Sequence, residues 1–188
     1  MTPWKQALFS QGATDADLRN HWATPPEVFS PLHAEFGFNL DAAATAATAQ
    51  VPDYLGPDHP DLTRRDAHTA DWSPAGPPWL NPPYGRNVGK WLALAASWGQ
   101  RQVVVVLVFA RTDTRWWWSS VFGRDPATGK RVAGLFSHPC AAEVRFRPGR
   151  IRFIDPSTGS PGDAAPAPSC LIVFRPGYEG EWPELGVL

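Results

Sequence analysis

The run Val103-Val104-Val105-Val106-Leu107-Val108-Phe109 constrains this chain more than any other feature. Consecutive apolar residues, mostly β-branched, have no polar alternation to offer a solvated face. The strand they predict is covered on both sides, so the fold must be layered, with elements packed above and below a sheet. Cys170-Leu171-Ile172-Val173-Phe174 predicts a second strand of the same kind. Shorter strands are expected in Phe38-Asn39-Leu40-Asp41, ending near Asp41, and in Pro77-Pro78-Trp79-Leu80. Helical patterns lie between them. Thr24 is positioned as an N-cap, with Pro25 at the first helical position, Glu27 completing a capping box and Gly37 as the stop; Pro31 is expected to kink or split this helix. Asn87 is expected to cap a second helix that carries Val88, Trp91, Leu92 and Ala95 on one face and ends at Gly99. Residues 144–154 alternate around Pro148-Gly149 and predict a hairpin, with Arg145, Arg147, Arg150 and Arg152 on its polar face. The result is an α/β sheet with an antiparallel C-terminal end, forming one domain over residues 21–188 after an N-terminal arm over residues 1–20.

At 188 residues and 43% hydrophobic content the chain can bury a sizeable core. No run approaches the roughly 18 apolar residues that cross a bilayer, and the first twenty residues lack a secretory signal pattern. Two cysteines make neither a disulfide framework nor a zinc pattern, and the histidines show no metal spacing, so a reduced cytoplasmic protein without metal is expected. The net charge is −1, yet residues 101–152 hold ten basic and three acidic side chains inside an otherwise acidic chain. Such a segment suits a phosphate-rich partner.

Asn81-Pro82-Pro83-Tyr84 follows the expected strand at Trp79-Leu80. In open α/β sheets, ligands bind beyond the carboxyl ends of strands. Asn81 offers an amide oxygen, and the proline after it holds its backbone extended. Pro82 keeps a carbonyl acceptor on a stiff backbone, Tyr84 adds a flat ring, and Gly85 lets the chain turn away. Two rigid acceptors beside a stacking ring fit a planar ring that carries an exocyclic NH₂. Accepting both amino hydrogens concentrates electron density on the nitrogen and favours the pyramidal geometry of attack. A sulfonium methyl group is a suitable electrophile.

These residues resemble the Asn-Pro-Pro-Tyr motif of amino-methyltransferases that use S-adenosylmethionine. The ordered set HWATPPEVF, LDAAAT, DAHTADW, WLNPPYG, VVVVLVFARTDTRWWW, RPGRIRF and PAPSCLIVF, from residue 21 to 174, resembles the phage-type, Dam-like DNA adenine-N6 methyltransferases. The resemblance implies a Rossmann-like class I methyltransferase fold, with a mostly parallel sheet and an antiparallel hairpin at its C-terminal end. It implies catalytic roles for Asn81, Pro82, Pro83 and Tyr84. It places Thr24 and Pro25 at the methionine end of the donor, Asp41 and Ala42 beside its methionine or ribose part, and Asp66 near its adenine, with Asp61 as a competitor. Alanines at 42–44 stand where the broader methyltransferase pattern has a glycine-rich turn. A base in a duplex must be flipped out to reach such a site, at a cost of about a few kcal/mol. Arg124, Lys130, Arg131, Arg145, Arg147, Arg150 and Arg152 are then the candidate phosphate contacts, and loops near 122–140 the candidate readers of sequence. The expected partners are double-stranded DNA and the donor. The expected setting is a bacterial cytoplasm, with the chain a phage- or prophage-encoded monomer. The same fold and donor acting on an RNA base or a protein glutamine amide, or a DNA-binding module without catalysis, are the alternatives. Arg111 and Asp113 lie near the expected site with no assigned role. Of Trp116, Trp117 and Trp118, at least one is expected to face the core.

Overall fold

A computed structural model of the chain describes residues 22–73, 76–131 and 140–188. The expected N-terminal arm lies outside them, as do residues 132–139 of the expected reading loops. In chain order the elements are helix α1 (Pro26–Phe36), strands β1 (Leu40–Asp41) and β2 (Pro78–Leu80), helix α2 (Val88–Trp98), and strands β3 (Val104–Phe109), β4 (Glu143–Phe146), β5 (Ile154–Asp155), β6 (Ser160–Pro161), β7 (Ser169–Phe174) and β8 (Glu184–Val187). The fold is mixed α/β. Its contacts divide it into two compact units, one from Met1–Pro83 with Ile151–Ala165, the other from Tyr84–Arg150 with Pro166–Leu188.

In the first unit, β1 and β2 pair in parallel, Leu40 opposite Pro78 and Asp41 opposite Trp79. Helix α1 packs Phe29 against Phe38 and Trp79, whose ring centroids lie 5.3–5.6 Å apart. The helix starts one residue later than its capping pattern predicts. Pro25 is the N-cap, with ψ at 148°, and its carbonyl accepts from Val28 and Phe29. A residue before proline is driven out of the helical region, so Pro25 stays extended and Pro26, with its fixed φ, opens the helix. No side chain caps it. Pro31 is carried without a break on the exposed side of the helix. Gly37 ends the helix as expected, with φ 66° and its N–H bonded to His33 O. The loop after β1 returns alongside it: Asp41 N–H donates to Asp53 O, and Leu55 N–H to Asp41 O.

In the second unit, β3 pairs antiparallel with β7 over six residues, from Val104 opposite Phe174 to Phe109 opposite Ser169. β7 also pairs antiparallel with β4, and β4 pairs in parallel with β8. All of β7 is buried, as is β3 up to Val108, which is the double coverage its composition demands. The hairpin expected around Pro148-Gly149 does not form. Ile151 belongs to the first unit, and Ile154–Asp155 pairs with Ser160–Pro161 instead. The antiparallel part of the fold is β3–β7–β4. Val144, Ile151 and Phe153 are buried as their alternation predicts, whereas Phe146 is 37% exposed. Gly99 closes α2, and only glycine fits there because a Cβ would stand 2.3 Å from Phe174 Cβ. Trp117 is fully buried, at the start of a wide turn in which Phe122 N–H reaches back five residues to Trp117 O.

Candidate active site

Parallel pairing puts the carboxyl ends of β1 and β2 on the same edge. Asp41 ends β1, and Asn81 follows β2 directly, two residues past Asp41's partner Trp79. Trp22, Thr24, Asp41, Gln50, Trp79 and Asn81 line one cleft there. The amide of Asn81 is oriented by Thr24: Nδ2 donates to Thr24 Oγ1 at 3.3 Å. With the helix starting at Pro26, the Thr24 hydroxyl is not used as a cap and meets Asn81 instead. Pro25 and Pro82 are buried, and Pro83 is half-buried.

Asp41 is 3% exposed. Its Oδ1 accepts from Ala43 N at 3.4 Å and its Oδ2 from Gln50 N at 3.1 Å. Burial raises its carboxyl to a pKa of about 7, against the lowering effect of those two donors. Ala42 is buried and its N–H donates to Trp79 O at 2.8 Å, which extends the parallel pairing. The close backbone approach that a glycine-rich turn would provide comes from the facing loop. A Cβ on Gly56 would stand 1.7 Å from Ala44 O.

Tyr84 falls in the second unit. Its ring stacks on Phe109 at 3.9 Å and 11°, and its hydroxyl donates to Leu107 O at 3.5 Å. Burial pushes the phenol well above its ordinary range. Tyr84, Phe109, Arg111, Asp113, Thr114 and Trp116 line a second cleft, which gives the two unassigned residues Arg111 and Asp113 a place.

Asp66 is exposed and accepts from His68 N at 2.9 Å, within its own turn. Asp61 is exposed too and accepts from Thr63 N at 2.9 Å and Thr63 Oγ1 at 2.8 Å, bonds that hold its carboxyl below the usual range. Neither lines the cleft of Asp41 and Asn81.

The candidate cations separate into two groups. Arg124 is 7% exposed, donates to Gly129 O and Glu181, and lies 3.8 Å over the Trp182 ring. Arg131 donates to Gly180 O at 2.6 Å. Arg145 shares Glu143 with Arg175; burial alone would raise that carboxyl, but the two guanidiniums outweigh it and hold it low. These three arginines brace the scaffold. Arg147 is half-buried, while Lys130, Arg150 and Arg152 are exposed. Among the described residues, no group of three or more His, Cys, Asp or Glu gathers as a metal site, and no helix is long and apolar enough to cross a membrane.

Sequence reasoning missed Gln50. It sits in a loop, and no spacing or motif marks it. Its backbone N–H reaches Asp41, and its Nε2 donates to Thr24 O at 3.0 Å.

The model of the DNA N-6-adenine-methyltransferase (Dam) family matches residues 11–183. The chain belongs to this family. Two relatives carry the name DNA N-6-adenine-methyltransferase. The one from Haemophilus phage HP1 (strain HP1c1) is 29% identical over 166 residues, covering 87% of this chain and 81% of the relative. The one from Escherichia phage T1 is 26% identical over 166 residues, covering 87% of this chain and 66% of the relative. Both clefts lie inside the span of the Dam family match, and β8 lies beyond it.

Proposed function

We propose that this chain methylates the exocyclic N6 of adenine in double-stranded DNA, with S-adenosylmethionine as donor, and that residues 21–188 act as one catalytic domain of Rossmann-like class I type. The observation that carries this reading is the cleft at the shared edge of β1 and β2, where a buried carboxylate and an oriented asparagine stand together ahead of a proline pair. The residues that line the cleft suit the polar end of the donor chemically. Asp41 offers a carboxylate to hydroxyl or ammonium groups. Trp79 also lines the cleft.

Bound with only its polar end at the cleft, S-adenosylmethionine would supply an electron-poor methyl carbon on a sulfonium. Thr24 and Pro25 hold its methionine end, Asp41 and Ala42 its methionine or ribose part, and Asp66, in preference to Asp61, its adenine. The Asn81 side-chain oxygen and the Pro82 carbonyl accept the two hydrogens of the target amino group, and Pro83 stiffens the backbone behind them. Withdrawing those hydrogens from the ring plane returns the nitrogen lone pair to the reaction and favours the pyramidal transition state; as the nitrogen–carbon bond forms the carbon–sulfur bond breaks, the donor leaves as the neutral thioether S-adenosylhomocysteine, and the surplus amino proton is lost to solvent. Tyr84 stacks on the flipped base, its own ring held by Phe109. Arg147, Arg150, Arg152 and Lys130 contact phosphates and position the duplex. The chain acts as a monomer in the cytoplasm of a phage-infected or lysogenic bacterium.

The test is incubation with methyl-labelled donor and, separately, duplex DNA, RNA and total protein, followed by nucleoside analysis. Label in N6-methyldeoxyadenosine is expected, and label confined to RNA or protein refutes the acceptor. Asn81→Ala is expected to lower the single-turnover rate by about 10²-fold or more, the scale for losing one preorganised hydrogen-bonding group at a reacting centre, with melting unchanged.

A further inference from the structure

We propose that Gln50 is a positioning residue that joins the donor side of the cleft to the side that presents the target amine. The inference rests on the reading of the site just given. Three hydrogen bonds run in series across the cleft. Gln50 N–H donates to Asp41 Oδ2 at 3.1 Å, Gln50 Nε2 donates to Thr24 O at 3.0 Å, and Asn81 Nδ2 donates to Thr24 Oγ1 at 3.3 Å. Gln50 is half-buried and lines the cleft with the other three.

The segment 22–24 is secured from its other side by a separate device. Ala23 exchanges backbone hydrogen bonds with Ile154 at 3.0 and 2.9 Å, and Trp22 lies so close to Gly162 that a Cβ there would stand 1.9 Å from its ring. Those contacts hold Trp22 and Ala23. The Thr24 carbonyl, one residue further on, is held by the Gln50 side chain. Thr24 in turn accepts from the Asn81 amide nitrogen and so contributes to the way that amide faces. A donating Nε2 is therefore needed at position 50 for the Asn81 oxygen to be presented to the amine. The carboxylate of Asp41 is held by the Gln50 backbone and does not depend on that side chain.

This division makes the role testable by a double-mutant cycle. Gln50→Met keeps the length and apolar stem and removes the donor. At saturating donor and DNA it is expected to lower the single-turnover methylation rate about tenfold, the scale of one lost hydrogen bond. Gln50→Glu turns an acceptor oxygen toward the Thr24 carbonyl and is expected to lose at least as much. In a Thr24→Val background, where the link to Asn81 is already cut, Gln50→Met is expected to cost less than about twofold. A merely structural glutamine gives the same loss in both backgrounds. Melting curves are expected to shift by no more than about 4 °C. Equal losses in the two backgrounds, or a wild-type rate for Gln50→Glu, overturn the proposal. A wild-type chain that transfers no methyl group to DNA overturns the reading of the site itself, and that result is seen before any variant is measured.

Discussion

Asp41 stores a measurable conflict between stability and binding. Its carboxyl is raised from 3.8 to about 7 by burial, so between those values the native chain keeps a proton that the unfolded chain has lost. The native state then binds more protons than the unfolded one, and stability falls as pH rises through this window before levelling above about 7. At about 1.36 kcal/mol per pH unit, the loss from pH 5 to pH 8 is roughly 2–3 kcal/mol, and the full shift corresponds to about 4 kcal/mol. Asp41→Asn keeps the shape and removes the titration. An amide has one acceptor oxygen to face the two backbone donors Ala43 and Gln50, so at pH 5 the variant is expected to be less stable by about 1 kcal/mol.

The two stability curves therefore cross. At pH 8 the donor-free variant is expected to be the more stable of the two by about 1–2 kcal/mol, while its affinity for the methyl donor is lost. Urea unfolding of both proteins at pH 5, 6, 7 and 8, without donor, reads the difference directly, because every other titrating group cancels. A constant difference across the series refutes the buried-carboxylate argument. The wild-type donor affinity is expected to improve as pH rises toward 7, since an ionised Asp41 is the form that pairs with a hydroxyl or ammonium donor.

Gly56→Ala is expected to destabilise the chain by about 1–3 kcal/mol and to weaken donor binding, because its Cβ displaces the backbone of residues 42–44 that carries Asp41; unfolding and calorimetry check both effects. Combined replacement of Lys130, Arg150 and Arg152 by alanine is expected to weaken duplex affinity and to flatten its salt dependence by a slope of about 2–3, whereas Arg124→Ala is expected to lower melting temperature and leave the slope unchanged. Asp66→Ala is expected to raise the donor dissociation constant severalfold and Asp61→Ala to leave it unchanged; the reverse result reassigns the donor's adenine end.

The parts of this fold that were legible in the sequence are those fixed by local rules. A run such as Val104–Phe109 is buried on both faces because it has no polar alternation, and Trp79-Leu80 leads into Asn81 as a strand leads into a loop. Gly37 stops a helix because only glycine takes its φ without strain. The misreadings arise where a distant partner outweighs the local pattern. Residues 144–154 alternate as a hairpin does, but β4 is claimed by β7 and β8, and the chain beyond Arg150 is claimed by the first unit. The arginines of the basic segment read alike in sequence. Only tertiary contacts reveal that Arg124, Arg131 and Arg145 hold carbonyls and carboxylates of the scaffold. Gln50 was invisible because its role depends on two residues, one nine positions away and one twenty-six.

The Thr24–Asn81 hydrogen bond shows how a local pattern and a distant one combine. Thr24 precedes Pro25-Pro26, and Asn81 precedes Pro82-Pro83. In each case the following ring excludes the helical region for the residue before it and confines it to extended backbone. Both partners of the bond thus enter the folded state with fewer conformations to lose, and the bond holds with correspondingly less entropic opposition. The same steric rule that bars Pro25 from the helix moves the helix start to Pro26, and Thr24 then lies outside the capping position. Its hydroxyl is left to orient the amide at the end of β2. Replacing Pro25 or Pro82 by alanine should therefore loosen the site before it loosens the fold, because each proline acts on the residue ahead of it.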